Sequence, residues 1–382
     1  RQTLFTPTWG RLSALPDVRA SRYLACLLRD GAMQPWRRAL WRRFGWDTLL
    51  SPVVLTMGML TVLNTMAEDS NVSAERVPKT LLVIVDGIPT DVIERVKTPG
   101  LDALTARGTF NHAYVGGQIG EVTESPTISA VGYMSLLTGT WSNKHNVRAN
   151  YDLAPNYAYW DIFRVAKQQD TPLITGLFST WTDNRTVLLG DGLAQAGGDK
   201  FDFVADGFDK DPAFKSDLDE LERIKAIDDE VTRRAAETIT EEGPDLSWVY
   251  LQHTDDVGHL SGDGPEMDRA VRWIDARVAE LWSAVQARQT EHTAEDWLVL
   301  VTTDHGRSRE DGKHHGGQSL RERTTWIATN ARSVEFDPTT PPAIVDIFPS
   351  VVTHMNFKIP TDVSRQLEGR SLIRKEGSLD AK

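Results

Sequence analysis

The sequence predicts an α/β fold, a three-layer sandwich built on a mostly parallel central sheet. Two observations lead to it. Short β-branched and apolar runs, each apolar enough to be buried on both faces, alternate with longer stretches of helical periodicity. Acids and imidazoles recur just after those runs, at the carboxyl ends of strands where open α/β sheets gather their ligand sites.

The first run is Leu81-Leu82-Val83-Ile84-Val85, followed at once by Asp86-Gly87. A helical stripe through Leu221, Ile224, Ile227, Val231 and Ala235 precedes the second run, Trp248-Val249-Tyr250-Leu251. Met267, Val271, Ile274, Val278, Leu281 and Val285 then alternate steps of four and three residues after Pro265, a residue suited to a helix start, so this stripe packs on the sheet. The third run is Trp297-Leu298-Val299-Leu300-Val301-Thr302, and a last helical pattern from Ala343 to Met355 docks the C-terminus. Between Gly197 and Asp219 the chain is rich in Gly, Asp and Lys and reads as an exposed excursion. No repeat or low-complexity tract interrupts it, and one catalytic domain over residues 77–373 is the economical division.

With 382 residues and an apolar fraction of 40%, the chain is long enough to fill a core. Its net charge of −12 is unevenly spread. Residues 1–67 hold nine Arg and three Asp, a balance of +6, which leaves 33 basic and 51 acidic residues, −18, for the rest. Such an acidic body repels a phosphate backbone, so the expected partner is a small phosphate ester and not a long nucleic acid.

Arg37, Arg38, Arg42 and Arg43 precede a mostly apolar run from Leu49 to Leu63, and small residues follow at Thr65 and Ala67. That order reads as a signal peptide over residues 33–67. The run is about fifteen residues, shorter than the roughly 20 a bilayer span needs, so a cleaved signal and a periplasmic or secreted protein are preferred. An uncleaved N-terminal anchor, the sole membrane contact then expected, is the alternative. Residues 1–32 begin without Met, carry the one cysteine, Cys26, and read as a non-native or translated upstream segment. The absence of cysteine after Ala67 fits a periplasmic protein without disulfides.

The chemistry sits after the strands: Asp86 after the first, Asp255 and His259 after the second, Asp304-His305-Gly306 after the third, then His314-His315-Gly316-Gly317 in a glycine-rich loop. Taken singly, Asp-Gly is a turn and an acid before a helix is a cap. Recurrence in order at strand ends, in a chain of nine histidines, has no such structural explanation. Mixed carboxylate and imidazole donors suit zinc or manganese better than magnesium or calcium.

A nucleophile is still needed, and the segment from Ser125 to Gly139 supplies candidates. Here the chain resembles the alkaline phosphatase superfamily, and within it the type I phosphodiesterase/nucleotide pyrophosphatases and the cofactor-independent phosphoglycerate mutases. In that superfamily a Ser, Thr or modified Cys opens a helix that ends in Gly ten residues later. Ser129 and Gly139 have that separation, whereas Thr127 does not fit. Trp141 to Val147 resembles the segment that follows in the family, and Asp255 to His259 and Asp304 to Gly306 match its Asp-x-x-Gly-His and Asp-His-Gly forms. The resemblance runs from Lys79 to Ile373 and implies an alkaline phosphatase-like fold. It also implies two divalent cations, one held by Asp86, Ser129, Asp304 and His305, the other by Asp255, His259 and His315. His315 is preferred to His314 because the family ligand directly precedes Gly.

That assignment agrees with the physical chemistry. A serine hydroxyl becomes a useful nucleophile when a cation lowers its pKa, and a helix N-terminus favours phosphate oxygens. Two cations about 4 Å apart clamp an in-line displacement through a phosphoserine intermediate. Ser129 lacks the Pro and Arg that flank a sulfatase's formylglycine site. The roughly 125 residues between Ser129 and Asp255 are too few for a mutase's second domain. The nucleotide pyrophosphatases place Phe and Asn one and three positions beyond the nucleophile, where this chain has Ala130 and Gly132. Asn150, Lys144, Arg148 and Tyr133 are therefore candidate substrate contacts, and Trp160, Trp181 and Tyr133 could stack on an aromatic leaving group. Phosphoester hydrolysis, of diesters before monoesters, is the expectation. A phosphoethanolamine-type transferase, a sulfatase and an inert metal-stabilised binding protein are the alternatives.

Overall fold

The computed structural model describes residues 76–214, 219–332, 334 and 340–374. The segments expected as upstream sequence (1–32) and as signal or anchor (33–67) lie outside the described residues. Among the described residues no helix is long and apolar enough to cross a membrane.

Seven strands form one sheet: β1 Val77–Val85, β2 Thr109–Tyr114, β3 Thr175–Ser179, β4 Phe203–Ala205, β5 Leu246–Leu251, β6 Glu295–Thr302 and β7 Thr324–Thr329, in the order β2-β7-β6-β1-β5-β3-β4. The three runs expected as strands are the adjacent β6, β1 and β5 at the centre. They pair in parallel, with Ile84 opposite Thr302 and Val85 opposite Leu251. Pairing of β3 with β5 and with β4 is also parallel, while β7 runs antiparallel to both β6 and β2. The sheet is thus mostly parallel, as expected.

Helices α1 Thr90–Arg95, α2 Pro99–Thr105, α3 Ser129–Thr138, α4 Ser142–His145, α5 Ile162–Lys167, α6 Glu220–Glu241, α7 His253–Ser261, α8 Pro265–Glu291, α9 Leu320–Arg323, α10 Ile347–His354 and α11 Thr361–Gln366 surround it. Alternation along each central strand divides the core. Leu82 and Ile84 of β1, Trp248 and Tyr250 of β5 and Leu298 and Leu300 of β6 share one cluster with α3 and α10. Leu81, Val83 and Val85, with Val249, Leu251, Val299 and Val301, face a second cluster built on α6 and α8. Strands covered on both faces become continuous apolar runs, and each fully buried Leu, Ile or Val contributes about 1.5–3 kcal/mol.

Helix α6 carries the expected stripe from Ile224 to Ala235 and starts at Asp219, whose carboxylate accepts from the Glu222 N–H. Proline is the first residue of α8, and the C-terminal pattern forms a 3-10 turn, Ile344–Asp346, running into α10. One expectation needs correction. The stretch from Gly197 is not only an exposed excursion, because Phe203–Ala205 adds an edge strand in parallel register with β3.

Candidate active site

Because β6, β1 and β5 are parallel neighbours, the residues just beyond their carboxyl ends meet at one rim. Asp86 leaves β1 directly, Asp255 lies in the first turn of α7 after β5, and Asp304 follows β6. Ser129 is the first residue of α3, which ends at Gly139 in the left-handed region, φ 64°. The ten-residue spacing in the sequence is therefore the length of one capped helix.

Asp86, Asp304 and His305 offer donor atoms that all lie within 4.8 Å of one another. His305 Nε2 is 3.4 Å from Asp86 Oδ1, 3.4 Å from Asp304 Oδ2 and 3.2 Å from Ser129 Oγ. Both acids and the imidazole are buried. Among the described residues Asp86 Oδ1 and Asp304 Oδ2 have no hydrogen-bond partner, although Asp86 Oδ2 accepts from the Tyr133 and Tyr250 hydroxyls and Asp304 Oδ1 from the Gly87 N–H. Burial and the neighbouring Asp304 and Asp255 hold the Asp86 carboxyl well above the usual carboxylate range, and burial pushes Asp304 up to about 7. Burial likewise pushes the His305 imidazolium well down. Two orphaned carboxylate oxygens converging on one imidazole nitrogen and a hydroxyl are a donor set that fits a divalent cation.

A second set adjoins the first. His259 Nε2 lies 3.2 Å from Asp255 Oδ2 and 3.0 Å from His315 Nε2. The rings of His305 and His315 stack with centroids 3.7 Å apart, which puts His305 between the sets. Donor atoms of Asp255, His305 and His315 likewise all lie within 4.8 Å of one another. His315 turns inward with Nδ1 on Thr127 O at 2.9 Å, while His314 points out and pairs with Asp311. Asp255 carries a different electrostatic burden from Asp86. Burial opposes its ionisation, yet the Arg307 guanidinium holds its carboxyl well below the usual range. The Asp255 hydrogen bond raises His259.

The candidate substrate contacts separate. Asn150 is exposed and its Oδ1 accepts from the N–H of Ala130 at 2.9 Å, beside Ser129. Gly132 packs where a Cβ would come within 2.8 Å of Asp304 O, so this backbone has no room for an Asn there. Tyr133 is corrected from substrate contact to internal support: it is fully buried and its hydroxyl holds Asp86. Lys144 is corrected too. Its ammonium binds Gln366 O at 2.7 Å and Glu368 at 3.3 Å, beside the end of α3 where Gly139 sits, about 15 Å of helix from Ser129. Trp160 is covered by the Arg164 guanidinium at 4.1 Å and packs with Trp181 against the core.

Several supporting residues were not legible in the sequence. Thr127, which fits no motif, donates to Gly317 O and accepts from the Gly316 N–H, tying the loop of His315 to the approach to α3. Buried Asp228 accepts from the Gln252 and His253 N–H groups and the Thr180 hydroxyl at the start of α7, and burial pushes its carboxyl up to about 7. Tyr250 and Arg307 complete the group. The weak sequence signal for Arg307 was its place directly after Asp304-His305-Gly306.

The family model described as type I phosphodiesterase / nucleotide pyrophosphatase matches residues 80–368. No curated protein matches the chain. Among solved structures, an inactive variant of murine ectonucleotide pyrophosphatase/phosphodiesterase 5 in complex with AMP superposes with a TM-score of 0.54 at 14% identity, covering 74% of this chain and 96% of its own. A putative sulfatase from Bacteroides thetaiotaomicron gives 0.53 at 12% identity, with 78% and 74% covered. The phosphonate monoester hydrolase of Agrobacterium radiobacter gives 0.50 at 14% identity, with 78% of each chain covered. At these identities the structural likeness establishes the fold, which is alkaline phosphatase-like.

Proposed function

The chain belongs to the type I phosphodiesterase / nucleotide pyrophosphatase family, and from that premise we propose that it hydrolyses small phosphate esters, diesters foremost, with Ser129 as nucleophile. In this reading Asp86, Ser129, Asp304 and His305 hold one divalent cation, zinc or manganese, and Asp255, His259 and His315 hold another. The observation that carries it is the Ser129 hydroxyl, 3.2 Å from His305 Nε2 at a helix start, facing two buried carboxylate oxygens without partners.

Bound cations supply a lowered pKa for the coordinated hydroxyl and neutralise charge on the phosphoryl oxygens. Ser129 Oγ loses its proton to solvent and bonds to phosphorus as the leaving alkoxide departs. Water then attacks the phosphoserine, the Ser129 hydroxyl is restored, and a phosphate with one ester bond fewer is released. The start of α3 favours the anionic group by its dipole. Asn150 anchors to Ala130 through its carbonyl and keeps its amide N–H bonds for a phosphoryl oxygen, replacing the donor that Gly132 cannot provide.

A nucleotide-type ester is supported by the family and by the AMP held by the murine relative. The charge of −18 after residue 67 supports a small substrate over a long nucleic acid. The basic-then-apolar order of residues 33–67 supports a periplasmic or secreted enzyme, anchored if that segment is kept.

The test compares rates of metal-reconstituted protein on bis-nitrophenyl phosphate, nitrophenyl phosphate and nitrophenyl sulfate, with Ser129→Ala alongside. The diester is expected to be fastest and the sulfate slowest. Ser129→Ala should keep its metal and lose roughly 10³-fold or more of the rate. Unchanged turnover in that variant removes Ser129 from the chemistry, and a fastest rate on the sulfate or the monoester overturns the substrate class.

A further inference from the structure

Arg307 is fully buried beside the second ligand set, with every arm of its guanidinium engaged. Nε donates to Gly87 O at 3.0 Å, Nη1 to Lys313 O at 2.9 Å, and Nη2 both to Asp255 O at 2.6 Å and to Asp255 Oδ1. Those acceptors lie on three separate segments: the turn after β1 that carries Asp86, helix α7 that carries Asp255 and His259, and the loop leading to His315. Surrounding backbone is shaped to admit the group. A Cβ on Gly258 would collide with the guanidinium carbon and nitrogens, and a Cβ on Gly87 would press on both Asp255 Oδ1 and Arg307 Nη2. The glycine of the Asp-x-x-Gly-His form is therefore the floor on which the guanidinium lies. A planar fork with all three nitrogens bonded in a dry site is a task Lys cannot perform.

We propose that Arg307 is the positioning residue of the second metal set. By occupying Asp255 Oδ1, which is also the oxygen 3.8 Å from His315 Nε2, it leaves Oδ2, 3.2 Å from His259 Nε2, as the uncommitted oxygen that would be offered to a cation. By tying three segments together it fixes the separation of ligands that come from distant parts of the chain. It also balances the Asp255 charge, so this set offers a cation little net charge, whereas among the described residues no Lys or Arg pairs with Asp86 or Asp304. The inference rests on the metal-dependent reading of the site, and its test separates the two.

Stepwise zinc binding is measured against a chromophoric competing chelator in the wild type, Arg307→Met and Arg307→Lys, and the cobalt-substituted proteins are compared by their visible absorption. The wild type is expected to take up two equivalents. In Arg307→Met the equivalent at Asp255, His259 and His315 should weaken by roughly 10- to 100-fold and its cobalt bands should shift. The equivalent at Asp86, Asp304 and His305 should stay within about threefold, which also reports an intact fold. Arg307→Lys keeps the charge but loses the fork, and should lie between the two. Equal or tighter second-site binding in Arg307→Met overturns the proposal, as does parallel loss at both sites. Should Arg307→Met fail to fold, unchanged second-site binding in Arg307→Lys overturns it alone. No zinc bound by the wild type would instead refute the metal-dependent reading.

Discussion

The two ligand sets share a rim of the sheet but differ in how their charge is managed. Asp86, Asp304 and His305 are sealed in the core with two carboxylate oxygens unpartnered. Asp255 answers to a buried arginine, and His259 reaches an exposed surface. The first arrangement is a deep anionic trap in which a cation relieves the cost of buried like charges. The second is close to neutral, because Arg307 pairs with Asp255, and is open to water at His259.

The largest effects should come from breaking each set in turn. Asp304→Asn should lose the cation of the first set and reduce turnover by roughly 10³-fold or more. His259→Ala should reduce it by roughly 10²-fold while the first set still binds metal, as read by metal analysis after gel filtration. Equal loss of both cations in either variant would mean that the sets are not separable.

A smaller effect distinguishes holding metal from stabilising the transition state. Asn150→Ala is expected to leave both equivalents of zinc bound and to lower kcat by roughly 10²-fold, the scale of losing one donor to a developing oxyanion. An unchanged kcat in Asn150→Ala would leave Asn150 as a support for Ala130 alone.

The smallest effect is on stability. Asp304 and Asp228 are both raised to about 7 by burial, from an ordinary 3.8. Their folded forms bind extra protons between about pH 4 and 7, so their stabilising contribution is complete at low pH and is lost as pH rises through 7. Asp255 has the opposite sign, since its depressed value makes its contribution fail only in strong acid. Metal-free protein should therefore melt a few degrees lower at pH 8 than at pH 5.5, and saturating zinc should remove much of that fall. A metal-free Tm that climbs over the same interval would contradict the burial of uncompensated acid in the first set.

Much of this was legible in the sequence, for a definite reason. Leu81–Val85, Trp248–Leu251 and Trp297–Thr302 are covered on both faces, so their side chains announce a buried strand whatever surrounds them. Asp86, Asp255, Asp304 and His305 follow those strands within a few residues, and Ser129 and Gly139 bound a helix whose length shows as their spacing. The edges of the sheet were not legible. Thr109–Tyr114 and Thr324–Thr329 are in part polar and Phe203–Ala205 is only three residues long, and pairing with a neighbour is what makes them strands.

What the sequence determined by itself was the central sheet, the order of the acids and imidazoles along it, and the serine that opens α3 beside them. Only the tertiary structure decided that Tyr133 supports Asp86, that Lys144 lies beside the end of α3 remote from Ser129, and that Arg307 underlies the second set. The reason is that a strand or a helix declares itself through neighbours a few residues away. The partner of a buried charge is chosen by groups that meet only when distant segments close around it.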